Sequence, residues 1–324
     1  TRHGDTHHCR RAPHRWTQIL TRVNPYYTDY AEYLSRLFPG QKVQKLSINA
    51  GMTCPNRDGT VGTGGCIYCD NRTFSPPYTD ARLPIRRQIE DGRKFFGRKY
   101  PLMKYLAYFQ SYTNTFAPAG TLRRLYGEAL DCEGIVGIII GTRPDCLPPA
   151  TLDLLEETAR RVPVIVEIGA ETSHDHTLRE INRHHTWQCA CEAIGSLHDR
   201  GIHVGLHLIA GLPGETREDI LATVRAASAL PIDTLKLHQM QVIRGTELHR
   251  RYLAGTDRTL RFTVDQYLDL CADIVATVPR RIAIERFVSQ SPADMLVSPR
   301  WGLKNYQFTD RLHRKLRDRI TQKK

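Results

Sequence analysis

Short apolar segments alternate with helical segments over the middle of the chain, from residue 43 to residue 240. Short apolar runs are typical of buried parallel strands. They predict six strands, at residues 43–49, 103–109, 135–141, 164–169, 203–209 and 234–240. The segments between them predict six helices, at residues 84–98, 121–132, 149–161, 174–182, 187–200 and 216–230. Pro149 at a helix start and Gly201 after a helix end agree with the rules for helix boundaries.

Six strand-then-helix units in succession indicate an α/β fold whose strands are parallel. We therefore predict a parallel α/β barrel or an open, partial (β/α)6 parallel barrel. Right-handed crossovers bring the carboxyl ends of all its strands, and the loops that follow them, to one side of the sheet. The loop after the first strand contains three cysteines, so we expect it on that side, where barrel sites are built.

The pattern changes after the sixth unit and predicts a C-terminal α/β extension. A helix at 262–278 and a short strand at 281–287 precede a last helix at 305–320. Apolar residues at every fourth position of the last helix are expected to dock on the core; they are Phe308, Leu312, Leu316 and Ile320. We predict three parts: an N-terminal leader and extension (1–39), the core barrel (40–245) and the C-terminal extension with a basic helix (246–324).

Cys54, Cys66 and Cys69 form the strongest chemical signal in the sequence, because eleven loop residues separate the first from a Cys-x-x-Cys pair. Three thiolates on a short loop make a metal or cluster site with one open position, where a substrate or cofactor can bind. The loop is rich in glycine, which lets the backbone curl around a compact inorganic group. Two alternatives remain open: zinc completed by a distant His or Cys, and an unliganded loop.

Composition and charge narrow the partners and the compartment. The 324 residues carry a net charge of +12 with a pI near 9.4, which favours a polyanionic partner, nucleic acid first. Nine cysteines, an odd number, do not suggest a disulfide framework, so we predict a reducing cytoplasm. No apolar run approaches the roughly 20 residues that cross a bilayer, so no membrane association is expected. The His- and Arg-rich first dozen residues are expected to be disordered.

Several motifs, in order along residues 40–310, resemble the radical S-adenosylmethionine (SAM) superfamily. Within it, the chain is similar to the YhcC/YtqA-type subfamily, which is related to the Elongator catalytic-subunit-like group. The segments that carry the likeness are Gly40-Gln41-Lys42-Val43, Cys54-Pro55-Asn56-Arg57-Asp58-Gly59, Tyr105-Leu106-Ala107-Tyr108-Phe109-Gln110, Gly141-Thr142-Arg143-Pro144-Asp145, Ile181-Asn182-Arg183, Gly211-Leu212-Pro213-Gly214-Glu215 and Ser298-Pro299-Arg300-Trp301.

The resemblance implies a partial barrel of radical SAM type with a [4Fe–4S] cluster on Cys54, Cys66 and Cys69. It also implies SAM as the second cofactor, bound to the fourth iron and cleaved to methionine and a 5′-deoxyadenosyl radical that abstracts a substrate hydrogen. An electron donor such as flavodoxin or ferredoxin would reduce the cluster. The protein would supply geometry and the exclusion of water.

Six further residues are predicted to contact SAM because they match positions in the family motifs. Tyr68 matches an aromatic residue beside the adenine, and Gln110 and Ser111 replace a glycine-rich turn near the amino group. Glu171 stands where the family often has a ribose-binding glutamine. Arg183 matches an arginine that can bind the SAM carboxylate, and His207 lies near the end of strand five, where some relatives have Asp.

The leading functional hypothesis is a radical SAM enzyme that modifies RNA, with transfer RNA as the expected partner. The basic balance and the resemblance to a group linked to wobble-uridine side-chain modification both favour it. Basic segments at 82–99 and 311–324 are predicted to hold phosphates. One alternative is a radical SAM enzyme with a small-molecule or peptide substrate. The other is a zinc-stabilised RNA-binding module without catalysis. The sequence does not predict an oligomeric state.

Overall fold

The structure, a computed structural model, describes residues 23–97 and 102–322. The predicted disordered leader, with its His3, His7, His8, Cys9 and His14, lies outside the described residues. So do Arg98 and Lys99 of the first predicted basic segment, and Lys323 and Lys324 of the second.

Seven parallel strands form one curled half-barrel sheet in the order β1-β2-β3-β4-β5-β6-β8. These strands are β1 (Val43–Ile48), β2 (Lys104–Phe109), β3 (Ile135–Thr142), β4 (Val164–Glu171), β5 (His203–Ala210), β6 (Thr234–Gln239) and β8 (Ala283–Arg286). A separate antiparallel pair joins β7 (Val242–Ile243) to β9 (Leu296–Ser298). The predicted α/β half-barrel is confirmed. It gains a seventh strand, β8, from the part predicted as the C-terminal extension, and the predicted division into three parts stays a prediction.

Ten α-helices are described, and six of them follow or connect the parallel strands as expected. The helices are α1 (Tyr30–Leu37), α2 (Ile85–Gly97), α3 (Ala119–Leu130), α4 (Pro149–Ala159), α5 (Asp175–Glu180), α6 (Trp187–His198), α7 (Arg217–Ser228), α8 (Glu247–Leu253), α9 (Val264–Thr277) and α10 (Asn305–Thr321). Their starts follow local chemistry: Thr216 and Thr263 make capping boxes at α7 and α9. None of the described helices is long and apolar enough to cross a membrane.

The two faces of the sheet differ in chemistry because side chains alternate along each strand. The face under the helices is apolar, with Ile138, Ile140, Val166 and Leu206 fully buried in the main core. The inner face begins with an apolar layer of Leu106, Ile139 and Ile165, against which α1 packs. Beyond that layer, toward the carboxyl ends, the inner face becomes polar. The helix α1 thus covers the amino-terminal part of the inner face, and the open cavity lies at the carboxyl ends.

The helix α10 packs on α9 through three of the four predicted apolar residues: Phe308, Leu312 and Leu316 are buried. The prediction that Ile320 also docks on the core is wrong, because its side chain is 51% exposed near the end of the helix. The basic side of the helix is partly neutralised, since Arg319 bonds Asp269 and Asp273.

Candidate functional site

One cavity at the carboxyl ends of the strands is lined by Cys54, Cys66 and Cys69 together. The loop that holds them is fixed by its own backbone: Arg57 N–H donates to the Cys54 carbonyl at 2.8 Å, and Cys69 N–H to the Cys66 carbonyl at 3.0 Å. Gly65 has φ +77°, and a Cβ there would lie 2.8 Å from the Arg57 guanidinium. The loop is therefore folded tightly enough to need glycine beside the second cysteine.

Nitrogen donors point at two of the three sulfurs. The Asn56 amide lies 3.6 Å and the Arg183 guanidinium 3.4 Å from Cys66 Sγ, and the Asn71 amide lies 3.7 Å from Cys69 Sγ. Burial and the neighbouring Cys66 raise the pKa of the Cys69 thiol to about 11. A bound metal deprotonates a thiol outright, and N–H donors to sulfur stabilise the thiolate that results. Three free thiols with these donors fit a thiolate-bound iron–sulfur cluster.

The same loop gives no support to a single-ion site. Within residues 23–97 and 102–322, no three His, Cys, Asp or Glu side chains converge closely enough to hold one metal ion. The ligands of one zinc all lie about 2.0–2.3 Å from the same atom, which forces them together. A cluster binds each thiolate through a different iron, so its ligands stand further apart.

Most of the predicted SAM residues reach the cavity. Tyr68, Gln110, Glu171, Arg183 and His207 all line it, together with the three cysteines. Ser111 is buried outside the cavity lining, with its hydroxyl 3.3 Å from that of Ser75. Its neighbour Gln110 accepts a hydrogen bond from Ser47 at 3.0 Å. The roles of these residues toward SAM stay predictions.

Arg183 connects the cysteine loop to strand β4. Its guanidinium donates to Cys66 Sγ and, at 2.5 Å, to the Gly169 carbonyl, and it lies 3.2 Å from the Glu171 carboxylate. Burial alone would lower the pKa of Arg183, but Cys66 and Glu171 raise it well above its usual value. Its Nε is buried without a hydrogen-bond partner. This fixed cation therefore has one unused donor.

Left-handed backbone is concentrated around the cavity. Four non-glycine residues of the described chain have positive φ: Tyr112 (66°), Glu171 (69°), Asn182 (59°) and His184 (60°). Tyr112 and Glu171 line the cavity, and Asn182 donates to the Gly65 carbonyl of the cysteine loop at 2.8 Å. Such conformations persist where the surrounding structure imposes them, and functional sites are where they gather.

A buried charge network forms the polar layer of the inner face. Lys45 on β1 lies 2.7 Å from both Glu167 on β4 and Glu285 on β8, and Lys236 on β6 lies 3.0 and 3.1 Å from the same carboxylates. Burial alone would raise the pKa of Glu167, but Lys236, Lys45 and His207 lower it by more than burial raises it. The pKa of Glu167 is therefore well below its usual value. His207 is 2.7 Å from Glu167. The opposite edges of the sheet are thus joined across the barrel.

The sequence carried weak signals for these groups. Residues alternate in β6, so Lys236 and His238 share the inner face, and Glu167 is charged in the middle of the largely apolar strand β4. Arg143, just after β3, is buried; it pairs with Asp145 at 2.7 Å and donates to the Arg183 carbonyl at 2.8 Å. It therefore holds the segment that carries Arg183.

Family models match most of the chain. The model of the radical SAM superfamily matches residues 54–227, and that of the radical SAM C-terminal domain matches residues 232–318. The chain belongs to the radical SAM superfamily, a family of enzymes that generally use a [4Fe–4S] cluster and SAM.

The curated relatives place it within the YhcC/YtqA-like subfamily. It is 34% identical to the uncharacterized protein YtqA of Bacillus subtilis over 283 residues, 86% of each chain. It is 36% identical to the protein YhcC of Escherichia coli K12 over 263 residues, 81% of this chain and 83% of that one. Among solved structures, archaeal Elp3 of Methanocaldococcus infernus matches with a TM-score of 0.64 at 17% identity, over 86% of this chain and 63% of that one. At 17% identity, this structural similarity is evidence for a shared fold and for nothing more.

Proposed function

We propose that this enzyme holds a [4Fe–4S] cluster on Cys54, Cys66 and Cys69, binds SAM beside it, and modifies transfer RNA, at the side chain of a wobble uridine. One observation supports the cofactor part above all others. Three free thiols line a single cavity at the carboxyl ends of the strands, and amide and guanidinium donors point at two of their sulfurs.

The two cofactors, when bound and reduced by a flavodoxin- or ferredoxin-type donor, supply abstraction of a hydrogen atom from the substrate. The chain itself contributes geometry and charge. Arg183, Asn56 and Asn71 donate to sulfur and stabilise negative charge there. Arg183 also has an unused buried Nε for a carboxylate of SAM. The packed layer under α1 keeps water from entering the cavity from below.

Support for RNA comes from the net charge and from an arginine rim on the outer side of the cysteine loop. A second cavity there shares Cys66 and Cys69 with the first. Five arginines line it against three carboxylates, Asp70, Glu180 and Glu247; the arginines are Arg57, Arg72, Arg179, Arg250 and Arg251. Exposed ion pairs with these carboxylates are weak, so the guanidinium groups remain able to bind phosphate. A backbone held on this rim would present a base next to the cysteine loop.

The two basic segments predicted from the sequence contain ion pairs much like those of the rim. On α2, Arg87 and Lys94 share Asp91, and just before the helix Arg82 pairs with Asp80. On α10, Lys315 and Arg319 bond carboxylates of α9. Ion pairing therefore does not separate these surfaces, and we place the main RNA contact of the proposal at the arginine rim because its cavity shares Cys66 and Cys69 with the main one.

Anaerobic reconstitution with iron and sulfide tests the cofactor part. We expect a brown protein with about four irons per chain, which cleaves SAM after reduction. A colourless protein that retains one tightly bound zinc per chain would instead support the RNA-binding module without catalysis.

Addition of a tRNA pool tests the substrate part. We expect tRNA to increase SAM cleavage, and Arg179→Gln on the rim to weaken tRNA binding. The salt slope of log K should become shallower by about 0.7–0.9 for each phosphate that the variant no longer neutralises. The matched control is Arg225→Gln, another exposed helix arginine, on α7 and outside the lining of both cavities. If no tRNA pool stimulates cleavage, or both variants change binding equally, the substrate is a small molecule or peptide rather than RNA held on this rim.

A further inference from the structure

Carboxylates already balance most of the cations in the wall of the main cavity. Lys45 and Lys236 share Glu167 and Glu285, which gives two charges of each sign. Burial lowers the pKa of Lys236 below its usual 10.5, and the carboxylates at 3.0 and 3.1 Å oppose this effect.

Two more cations of this wall are each balanced by one carboxylate. Arg183 pairs with Glu171, and Arg143 pairs with Asp145. Arg57 belongs to the cysteine loop, because it donates to the Cys69 carbonyl at 2.7 Å.

Arg286 differs from the paired cations, and unlike Arg57 it lies outside the cysteine loop. It lines the cavity at the carboxyl end of β8, and no carboxylate of the described residues lies within 4.0 Å of its nitrogens. Its Nη2 is 2.7 Å from His238 Nε2, and its Nε is buried without a hydrogen-bond partner. Burial and the Arg286 cation lower the pKa of His238 well below its usual value, so the ring is neutral. The pair therefore carries one uncompensated positive charge and an unused donor.

The frame around Arg286 is rigid. The Gln239 side chain donates to the Ser289 carbonyl at 2.9 Å and accepts from the Ser289 N–H at 2.7 Å, so the segment after β8 is fixed to the end of β6. Arg286, at the end of β8, and the cysteine loop, which follows β1, line the same cavity. The remainder of a molecule whose anionic group is bound by the guanidinium would therefore lie in the cavity that the three cysteines also line.

We propose that Arg286 binds an oxyanion of the substrate, a carboxylate or a phosphate, and so orients the reacting part toward the cysteine loop. This inference rests on the proposed function, in which this cavity is where the reaction occurs. The unused Nε–H of this charged guanidinium can donate to an oxygen of such a group.

A neighbouring cavity extends the same positive surface. It shares four wall residues with the main cavity, Gln239, Gln241, Ser289 and Ser291. Arg300 and Lys304 also line it, and its lining contains no carboxylate. The remainder of an anionic molecule can therefore extend from Arg286 into this second space without meeting a negative charge.

Binding of two simple anions to the full chain tests the proposal. Inorganic phosphate and malonate are titrated separately at constant ionic strength, with chloride as the balancing anion, and binding is measured by calorimetry and by the shift in thermal midpoint. We expect the wild type to bind at least one of them and Arg286→Gln to bind it about tenfold more weakly or worse. Arg286→Lys keeps the charge and is expected to be intermediate, because it loses the planar guanidinium and its unused Nε–H. Arg225→Gln, with the same change in net charge, is expected to bind as the wild type does.

The choice of anion separates the two sources of an oxyanion. Binding of phosphate alone would indicate a nucleotide phosphate, and binding of malonate alone would indicate a carboxylate substrate. Equal binding by wild type and Arg286→Gln, or no binding of either anion to the wild type, would overturn the proposal. Circular dichroism checks that each variant is folded before titration. The titrations need no cluster, SAM or RNA, so their failure is distinct from failure of the proposed function.

Discussion

The two walls of the main cavity are built in opposite ways. The cysteine wall is a loop whose three thiols come from sixteen consecutive residues, and backbone turns and glycines set its shape. The opposite wall consists of side chains on rigid strands, and its charged groups come from β1, β4, β6 and β8. The cysteine wall provides sulfur ligands for a cofactor that the chain has to bind. The lysines and carboxylates of the opposite wall already pair with one another, so they need no bound group. In our two proposals, cofactor binding and substrate orientation therefore fall to separate structural elements.

The difference also separates binding from stability. A loop with free thiols can lose one without exposing a buried charge. The buried network cannot, because the removal of one carboxylate leaves two lysines to share the other. Substitutions in the cysteine wall should therefore change the metal content and the reduction potential. Substitutions in the charge network of the opposite wall should change the free energy of unfolding.

The largest expected effect is the loss of the cluster in Cys66→Ala. After anaerobic reconstitution, iron should fall from about four per chain to near zero, because two thiolates hold a cube poorly. Iron and sulfide analysis with absorbance measures it, and Cys191→Ala on α6, away from the cavity lining, is the control. A Cys66→Ala protein with undiminished iron would remove the basis for assigning cofactor binding to this wall.

Glu167→Gln should have the next largest effect, on stability. The change leaves Lys45, Lys236 and His207 with one nearby carboxylate fewer, so we expect a loss of about 3–5 kcal/mol in the free energy of unfolding at pH 7. Urea unfolding measures the loss. The control is Glu157→Gln, which breaks an exposed pair with Arg123 and should change stability by about 0.5 kcal/mol or less.

The pH dependence of this loss has a definite sign. The pKa of Glu167 is well below its usual 4.5 in the folded chain, so the stability it contributes is fully present above that usual value. The contribution is lost as the pH falls below 4.5 toward the folded pKa. The difference between wild type and Glu167→Gln should therefore shrink in urea titrations at successively lower pH. A constant difference would mean that the network acts by shape rather than by charge.

The same contrast explains what could be predicted from the sequence. The strands β1 to β6 and the cysteine site are local patterns, so apolar runs and cysteine spacing were sufficient. The pairing of Lys45 with Glu285 spans 240 residues and depends on how the sheet curls, which no local pattern shows. The helix α1 was predicted only as part of a leader, because its role comes from packing on Ile139 and Ile165. Ser111 follows Gln110 in sequence but points to Ser75, because neighbours along an extended chain face opposite ways.

The smallest expected effect is on the reduction potential in Asn71→Ala. The Asn71 amide donates to Cys69 Sγ, and such a donor stabilises the extra negative charge of the reduced cluster. A hydrogen bond worth about 1 kcal/mol corresponds to a fall of about 40 mV for one electron. Redox titration followed by electron paramagnetic resonance measures it, with unchanged iron content as a requirement. Ser75→Ala is the control, because it removes a bond to the Asn71 carbonyl without touching sulfur. An equal shift in both variants would show that the segment around Asn71 tunes the site by its position, and that the amide has no direct effect on the sulfur.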